Sequence, residues 1–394
     1  MTHTGERAPT TRTAGPPPPD ATPEPPAFGP SAFESPAVLG DNLPAFYERL
    51  KEELTFPLAW GTSPIRDFPT WRGTARATVE AHLVHPADDS PFDAETVDER
   101  TEEGLRRRIV HVNLTRFSRV RATMLLPEGG GPFPAVLLLH DHGSKFDIGK
   151  EKLVRPWYDE TRLSSARAWT DRHFDGRFVG DELARRGYAV LAVDALGWGD
   201  RSGLVYEGQQ ALASNLFNLG SSSAGLMARE DQRAAAFLAS LPEIDGERIA
   251  ALGFSVGAWR AWQVAALSDH VRAAVSICWM TGLREMMVPG NNTLRGQSAY
   301  TMLHPGLSRH LDIPDVASIA APKPMLFFNG GRDGLFTAAG VETAYRKLRA
   351  VWRSQGADDR LRTKVWPESG HVFTHEMQDE AFAWLDTWVA RVCR

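Results

Sequence analysis

Gly253-Phe254-Ser255-Val256-Gly257 directly follows the apolar run Ile249-Ala250-Ala251-Leu252 and directly precedes a helix-forming stretch from Ala258 to Leu267. That strand, turn and helix setting is the one a nucleophile elbow requires, and it singles out Ser255. A serine at the apex of so tight a turn sits in a strained backbone conformation that exposes its hydroxyl, and small neighbours let strand and helix pass closely. Glycine and serine are common, so the pentapeptide alone counts for little and its placement carries the weight.

A serine hydroxyl is a poor nucleophile at neutral pH. It needs a base to take its proton and a carboxylate to hold that base in the right tautomer. Downstream, the buried-looking run Pro324-Met325-Leu326-Phe327-Phe328 exits into Asn329-Gly330-Gly331-Arg332-Asp333-Gly334, which presents Asp333 on a glycine-rich loop. A further strand around Thr363 to Trp366 ends at Pro367-Glu368-Ser369-Gly370-His371, ahead of the last helix, and His371 is the candidate base. Each has a plainer reading: Asp333 as the cap of a helix beginning near Phe336, His371 as a solvated loop residue. All three residues fall at strand ends, where a parallel sheet gathers its ligands. The chain order serine, aspartate, histidine is that of the α/β-hydrolase superfamily, unlike the chymotrypsin and subtilisin orders. Among rival acids, Glu285 lies inside an insertion, and Asp194 and Asp200 precede the serine and are expected to shape loops. His375 begins the final helix and reads as a surface or capping residue.

A tetrahedral oxyanion needs two N–H groups aimed at the developing charge. One is the Val256 amide; the other should come from the loop after the strand Ala135 to Leu139, which reads His140-Asp141-His142-Gly143-Ser144. The His142 amide is the favoured donor and Ser144 the competing one. Adjacent His140-Asp141-His142 side chains on an extended segment point to alternating sides, and no H-E-x-x-H or Cys/His cluster completes a zinc site, so no metal is expected. Gly143 to Glu151 imitates a phosphate loop but has one residue too many between its glycines and an acid where a hydroxyl should be.

These loops need a sheet to hold them. Strands read near Arg108 to Asn113 and Val120 to Leu126, then Ala135 to Leu139, helix Gly180 to Arg186, strand Tyr188 to Val193 and helix Ala228 to Ser240, continuing to the elbow and the run Ala273 to Cys278. Such alternation specifies an α/β fold with a mostly parallel sheet covered on both faces. Residues 1–36 hold 10 of the chain's 27 prolines and no apolar periodicity, and are expected to be a disordered tail. Residues 37–394 are expected to form one domain, with 37–106 as a helical or irregular extension that includes a helix over 42–55. Two insertions interrupt it: Lys145 to Phe178, and a lid-like segment over 281–312 expected to roof the pocket with methionines, or to pack them in a small core of its own. Trp198, Trp259 and Trp279 occupy positions from which they could face the pocket.

The strand-HDHG loop, the GFSVG elbow, Asp312-Ile313-Pro314-Asp315 leading to Pro322-Lys323-Pro324-Met325, and Gly370-His371 resemble bacterial α/β-hydrolases grouped near dienelactone hydrolases and acetyl xylan esterases. The likeness covers about Arg107 to the C-terminus. It implies an α/β-hydrolase fold, Ser255 as nucleophile, Asp333 as acid, His371 as base, and the Val256 and HDHG-loop amides as oxyanion hole. Dienelactone hydrolases carry a cysteine nucleophile; the serine here shifts the expectation towards ordinary esters.

The expected activity is therefore serine ester hydrolysis through an acyl-enzyme, without a cofactor, on a small-molecule ester that includes acetylated sugars. A serine peptidase with the same triad is the alternative, and a catalytically silent binding protein the alternative of another class. A net charge of -5, mixed along the chain, argues against nucleic acid as a partner. Residues 1–36 carry no continuous apolar stretch like that of a secretory signal and no run of 18 or more apolar residues occurs, so no membrane span and a cytoplasmic setting are expected; Cys278 and Cys393 alone do not indicate a disulfide framework.

Overall fold

The computed structural model describes residues 39–40, 43–44, 47–291 and 299–390. The expected tail, Cys393 and the middle of the second insertion lie outside the described residues. In chain order the strands are β1 (Leu39–Gly40), β2 (Leu43–Pro44), β3 (Glu95–Glu102), β4 (Leu105–Thr115), β5 (Ser118–Pro127), β6 (Phe133–Leu139), β7 (Ala189–Ala192), β8 (Ile244–Phe254), β9 (Ala273–Ile277), β10 (Met325–Gly330) and β11 (Leu361–Trp366). The helices are α1 (Tyr47–Glu52), α2 (Phe68–His82), α3 (Glu160–His173), α4 (Val179–Arg185), α5 (Tyr206–Asn218), α6 (Ser223–Ser240), α7 (Val256–Leu267), α8 (Leu283–Met286), α9 (Ile313–Ser318), α10 (Ala338–Ser354) and α11 (His375–Leu385).

β3 to β11 form one nine-stranded sheet in the order β11-β10-β9-β8-β6-β7-β5-β4-β3. From β6 to β11 every pairing is parallel, and β5, β4 and β3 add an antiparallel flank. The parallel strands read as continuous apolar runs because helices cover both faces, and two apolar clusters fill the space on either side. β3 (ETVDERTE) is the exposed outer edge, and its charges blunt it against further strand pairing. α7 is buried along its whole length, so its two long polar residues need partners: Arg260 forks onto Asp231 at 2.9 and 2.6 Å, and Gln263 meets His304 at 2.7 Å.

The extension before the sheet differs from expectation. The helix foreseen over 42–55 is only the six-residue α1, with no buried side chain. The substantial helix is α2, whose Phe68, Trp71, Ala75 and Val79 form a buried stripe behind an Asp67 N-cap. The first insertion contains α3, and the helix after Asp333 begins at Ala338 with Thr337 as its cap.

Candidate active site

Ser255 joins β8 to α7 with φ 56° and ψ −125°, a conformation costly for a residue with a Cβ and held by its surroundings. Its N–H donates to the Ile277 carbonyl at 2.8 Å, and its own carbonyl accepts from Ala258 at 2.8 Å. The flanking glycines are required by close approach: a Cβ on Gly253 would run into the Gly257 carbonyl, and one on Gly257 into the Leu139 carbonyl at the end of β6.

The loops after β10 and β11 are tied together. Gly331 N–H donates to Trp366 O at 2.8 Å and Arg332 N–H to Ser369 O at 2.9 Å, while a Cβ on Gly330 would strike the Gly370 carbonyl. This brings Asp333 and His371 together, with Asp333 Oδ2 at 2.6 Å from His371 Nδ1. Asp333 Oδ1 accepts the Leu335 N–H at 3.0 Å, so the carboxylate is held on both oxygens. His371 Nε2 lies 2.8 Å from Ser255 Oγ. Because an ionised carboxylate only accepts, Nδ1 carries the proton and Nε2 faces the serine hydroxyl as an acceptor. Asp333 is fully buried and His371 partly so, against the Phe254 ring at 4.8 Å between centroids. α3 reaches this loop too: Phe373 N–H donates to His173 O at 2.8 Å.

The HDHG loop runs along the same cavity. Its backbone is anchored by a buried lysine: Lys152 Nζ donates to the carbonyls of Asp141 and His142 at 2.9 and 3.0 Å, and pairs with the Asp141 carboxylate at 3.3 Å. Trp198 Nε1 also donates to His142 O at 3.0 Å, and Trp169 Nε1 to Asp141 Oδ2 at 3.2 Å. A trans peptide points its N–H opposite its C=O. Pinning the Asp141 and His142 carbonyls on Lys152 therefore turns the next amides, those of His142 and Gly143, the other way. The Ser144 N–H is already used by His142 Nδ1 at 3.0 Å. As first residue of α7, Val256 has an N–H outside the helix's own ladder. Val256, His142, Ser255 and His371 all line one cavity of about 250 Å3, whose walls include Trp169, Phe254, Trp279 and Phe336.

Burial governs the loop's histidines. It pushes His142 down to about 4, assisted by the Lys152 cation, and holds His140 well below the usual imidazole range. His140 is locked as the neutral ring, Nδ1–H donating to Asp141 O at 2.9 Å and Nε2 accepting the Ala195 N–H at 3.0 Å. His140 and His142 thus serve the loop's own bonding. The acids Glu151, Asp194 and Asp200 also converge, but around the Lys150 ammonium, at 3.1, 2.7 and 2.7 Å. Cys278 lies near Asp333 and His371, whose polar atoms are taken by each other and by Ser255.

Asp194 and Asp200 act as loop-shaping ion pairs, and His375 is an exposed first-turn residue whose helix is capped by Thr374. Of the second insertion, Met302 and Ala299 line the cavity, and Met286 is fully buried in the same large apolar cluster as α7. The part played by Lys152 was not foreseen: Lys150-Glu151-Lys152 is indistinguishable in sequence from a solvated charge run.

The dienelactone hydrolase family model matches residues 173–391. A Bacillus subtilis (strain 168) protein, YtaP, named as a hydrolase, is 30% identical over 305 residues, covering 77% of this chain and 94% of that one. Among solved structures, a Bacteroides fragilis protein described as an acetyl xylan esterase superposes with a TM-score of 0.61 at 18% identity, covering 82% of each chain. A glucuronoyl esterase from Solibacter usitatus does so with a TM-score of 0.58 at 14% identity, covering 91% of this chain and 98% of the other. At such identities the two structural likenesses are of fold. The family match and the B. subtilis relative go further, and the chain belongs to the dienelactone hydrolase family.

Proposed function

We propose that the protein hydrolyses a small or medium carboxylic ester by an acyl-enzyme route, with Ser255 as nucleophile, His371 as base and Asp333 holding the imidazole. The observation that carries this is the continuous chain from Ser255 Oγ through His371 to Asp333, at 2.8 and 2.6 Å, opening on the cavity. His371 Nε2 takes the hydroxyl proton as Oγ attacks the ester carbon, and the carbonyl π electrons move to oxygen. The amides of Val256 and His142 receive that charge, each donor worth on the order of 10²- to 10³-fold in rate. The anchoring of the Asp141 and His142 carbonyls, and the occupied Ser144 amide, favour His142 over Ser144 as second donor. Collapse expels the alcohol, which leaves with the proton from His371. Water, deprotonated by the same nitrogen, then attacks the acyl-enzyme and releases the acid.

A cavity of about 250 Å3 suits a small acyl group with part of its alcohol. Structural neighbours named for acetylated xylan and glucuronoyl esters make sugar esters the first substrates to try. No helix among the described residues is long and apolar enough to cross a membrane. A cytoplasmic setting belongs to the proposal. The test is turnover of p-nitrophenyl acetate beside an aminoacyl p-nitroanilide, by wild type and by Ser255→Ala. Ester cleavage that disappears in the variant supports the reading; retention of most activity removes Ser255 from the mechanism, and preference for the amide makes the protein a peptidase.

A further inference from the structure

The walls of the cavity that holds Ser255 are not uniform. Val256, Trp279, Ala299, Met302, Leu335 and Phe336 give it an apolar side, on which Phe336 stands edge-on to Trp279 at 5.7 Å. The last turn of α3 brings a different chemistry: Arg172 and His173, adjacent in sequence, both reach the same space. Arg172 is exposed and makes no hydrogen bond or ion pair among the described residues, so its guanidinium is open to whatever enters the cavity. His173 is half-buried, with its ring against Trp169 at 4.2 Å and its Nδ1 at 3.4 Å from the carbonyl oxygen of His371. A carbonyl only accepts, so Nδ1 carries the proton and Nε2 is left as an acceptor. Nε2 has no partner among the described residues and, unlike His142 Nε2, keeps accessible surface. Burial, helped by Arg172 and His371, holds the ring below the usual imidazole range against the pull of Asp141 and of the His371 carbonyl, so it stays neutral and keeps that lone pair.

The direction of the reaction decides which part of an ester meets these two groups. The alcohol oxygen must lie beside His371 Nε2, which hands it a proton as it leaves, so the alcohol extends along the His371 side of the cavity. α3 is fastened to that side. Besides the His173 ring, the His173 carbonyl accepts the Phe373 N–H at 2.8 Å, and the Phe174 carbonyl accepts from Gln378 Nε2 at 2.9 Å. The acyl group is left the apolar wall. The two polar groups then select among alcohols, because a guanidinium only donates and the free Nε2 only accepts. A carboxylate or phosphate suits Arg172 but sets its oxygens against the Nε2 lone pair. An ammonium suits Nε2 and is repelled by Arg172, and an alkyl chain suits neither. Two hydroxyls on neighbouring carbons suit both, one donating to Nε2 while the other accepts from Arg172.

We propose that Arg172 and His173 form the leaving-group subsite and take the alcohol part of an ester whose alcohol is a polyol or sugar with vicinal hydroxyls, while the apolar wall takes a small alkyl acyl group. The proposal rests on the reading of Ser255 as an ester-cleaving nucleophile. It gives the first insertion a function: α3 carries the residues that determine the alcohol.

The test keeps the acyl group constant and varies the alcohol. kcat/KM is measured for the terminal monoacetate of glycerol, for propyl acetate, which lacks both hydroxyls, and for O-acetylglycolate, which carries a carboxylate instead; p-nitrophenyl acetate reports whether Ser255 works at all. Wild type should prefer the glycerol ester over propyl acetate by about tenfold or more, the net effect of one hydrogen bond to a charged group. Arg172→Met should cut that ratio about tenfold. His173→Phe, which keeps a ring against Trp169, should lower it too, and any general loss from disturbing the His371 loop falls on both acetates and cancels in the ratio. Arg172 is exposed, so its variant folds even if the other does not. A ratio near one in wild type, or one unchanged in Arg172→Met, overturns the proposal while p-nitrophenyl acetate turnover leaves the hydrolase reading standing. Preference for O-acetylglycolate over the glycerol ester makes the subsite an anion site and overturns it as well. If no ester is cleaved, saturation-transfer NMR on the same ligands reads the subsite directly. Transfer to the glycerol ester that exceeds transfer to propyl acetate and is lost in Arg172→Met retains the subsite and rejects only the chemistry; equal transfer rejects the subsite.

Discussion

Replacing Lys152 by methionine separates the anchoring of the HDHG loop from the triad itself. The methionine fills nearly the same space but removes three interactions of a fully buried ammonium: those to the Asp141 carbonyl, the His142 carbonyl and the Asp141 carboxylate. The carboxylate keeps the Trp169 indole at 3.2 Å, and the His142 carbonyl keeps the Trp198 indole at 3.0 Å and the Lys145 N–H at 3.4 Å. Breaking one side of a buried ion pair costs about 3–5 kcal/mol, out of a total stability of about 5–15 kcal/mol. The midpoint of urea unfolding should therefore fall sharply. Catalysis should suffer separately, because the peptide planes that aim the His142 and Gly143 amides lose their tether. Loss of one oxyanion donor lowers kcat by about 10²-fold, and KM for p-nitrophenyl acetate should move far less. A stable, folded Lys152→Met protein with kcat within twofold of wild type would refute this account of how the loop is aimed. A stability loss of under about 1 kcal/mol would refute the energetic part.

Asp333→Asn should leave the fold intact and lower kcat by about 10⁴-fold, since an amide no longer fixes the Nδ1–H tautomer; a loss under tenfold contradicts the pairing. Gly257→Ala should fail to fold or lose several kcal/mol, measured by thermal unfolding, because its methyl meets the Leu139 backbone carbonyl rather than a yielding side chain. Acid should destabilise the protein. His142 and His304 titrate at about 4 when folded, His140 lower than usual, and all near 6.5 when unfolded. The unfolded chain then binds more protons below that pH, so their stabilisation is complete above about pH 6.5 and falls towards pH 4, by up to about 1.4 kcal/mol per pH unit for each histidine. Asp315, raised to about 6 by burial, acts oppositely, as do Asp194 and Asp231, likewise raised by burial, whereas His85 and His173, lowered by burial, act in the same sense as the loop histidines. Urea midpoints that stay flat or rise from pH 7 to 4.5 contradict the assignment.

The sheet was legible because its strands are buried on both faces and therefore read as unbroken apolar runs; β6, β8, β9 and β10 fall where those runs predict. The meeting of Ser255, Asp333 and His371 was legible for a related reason, since a parallel sheet carries the loops at its strand ends to one rim. What lay hidden has physical causes. β3 is a charged edge strand with no apolar alternation, and α2 announces itself only by Asp67 and the spacing 68, 71, 75, 79. The burial of Lys150, Glu151 and Lys152 depends on partners 7 to 50 residues away, so no local pattern encodes it. Trp259 and Trp262 come from α7 and Trp279 from just after β9, and only the fold shows that their rings stand together.

The most direct test of the central claim is to treat wild type with a fluorophosphonate and locate the adduct by mass spectrometry, with His371→Ala in parallel. The account predicts one modified residue, Ser255, labelled in wild type and left essentially unlabelled in the variant, because only a serine bonded to a working base is nucleophilic. An adduct on another residue, or equal labelling of Ser255 in both proteins, contradicts it.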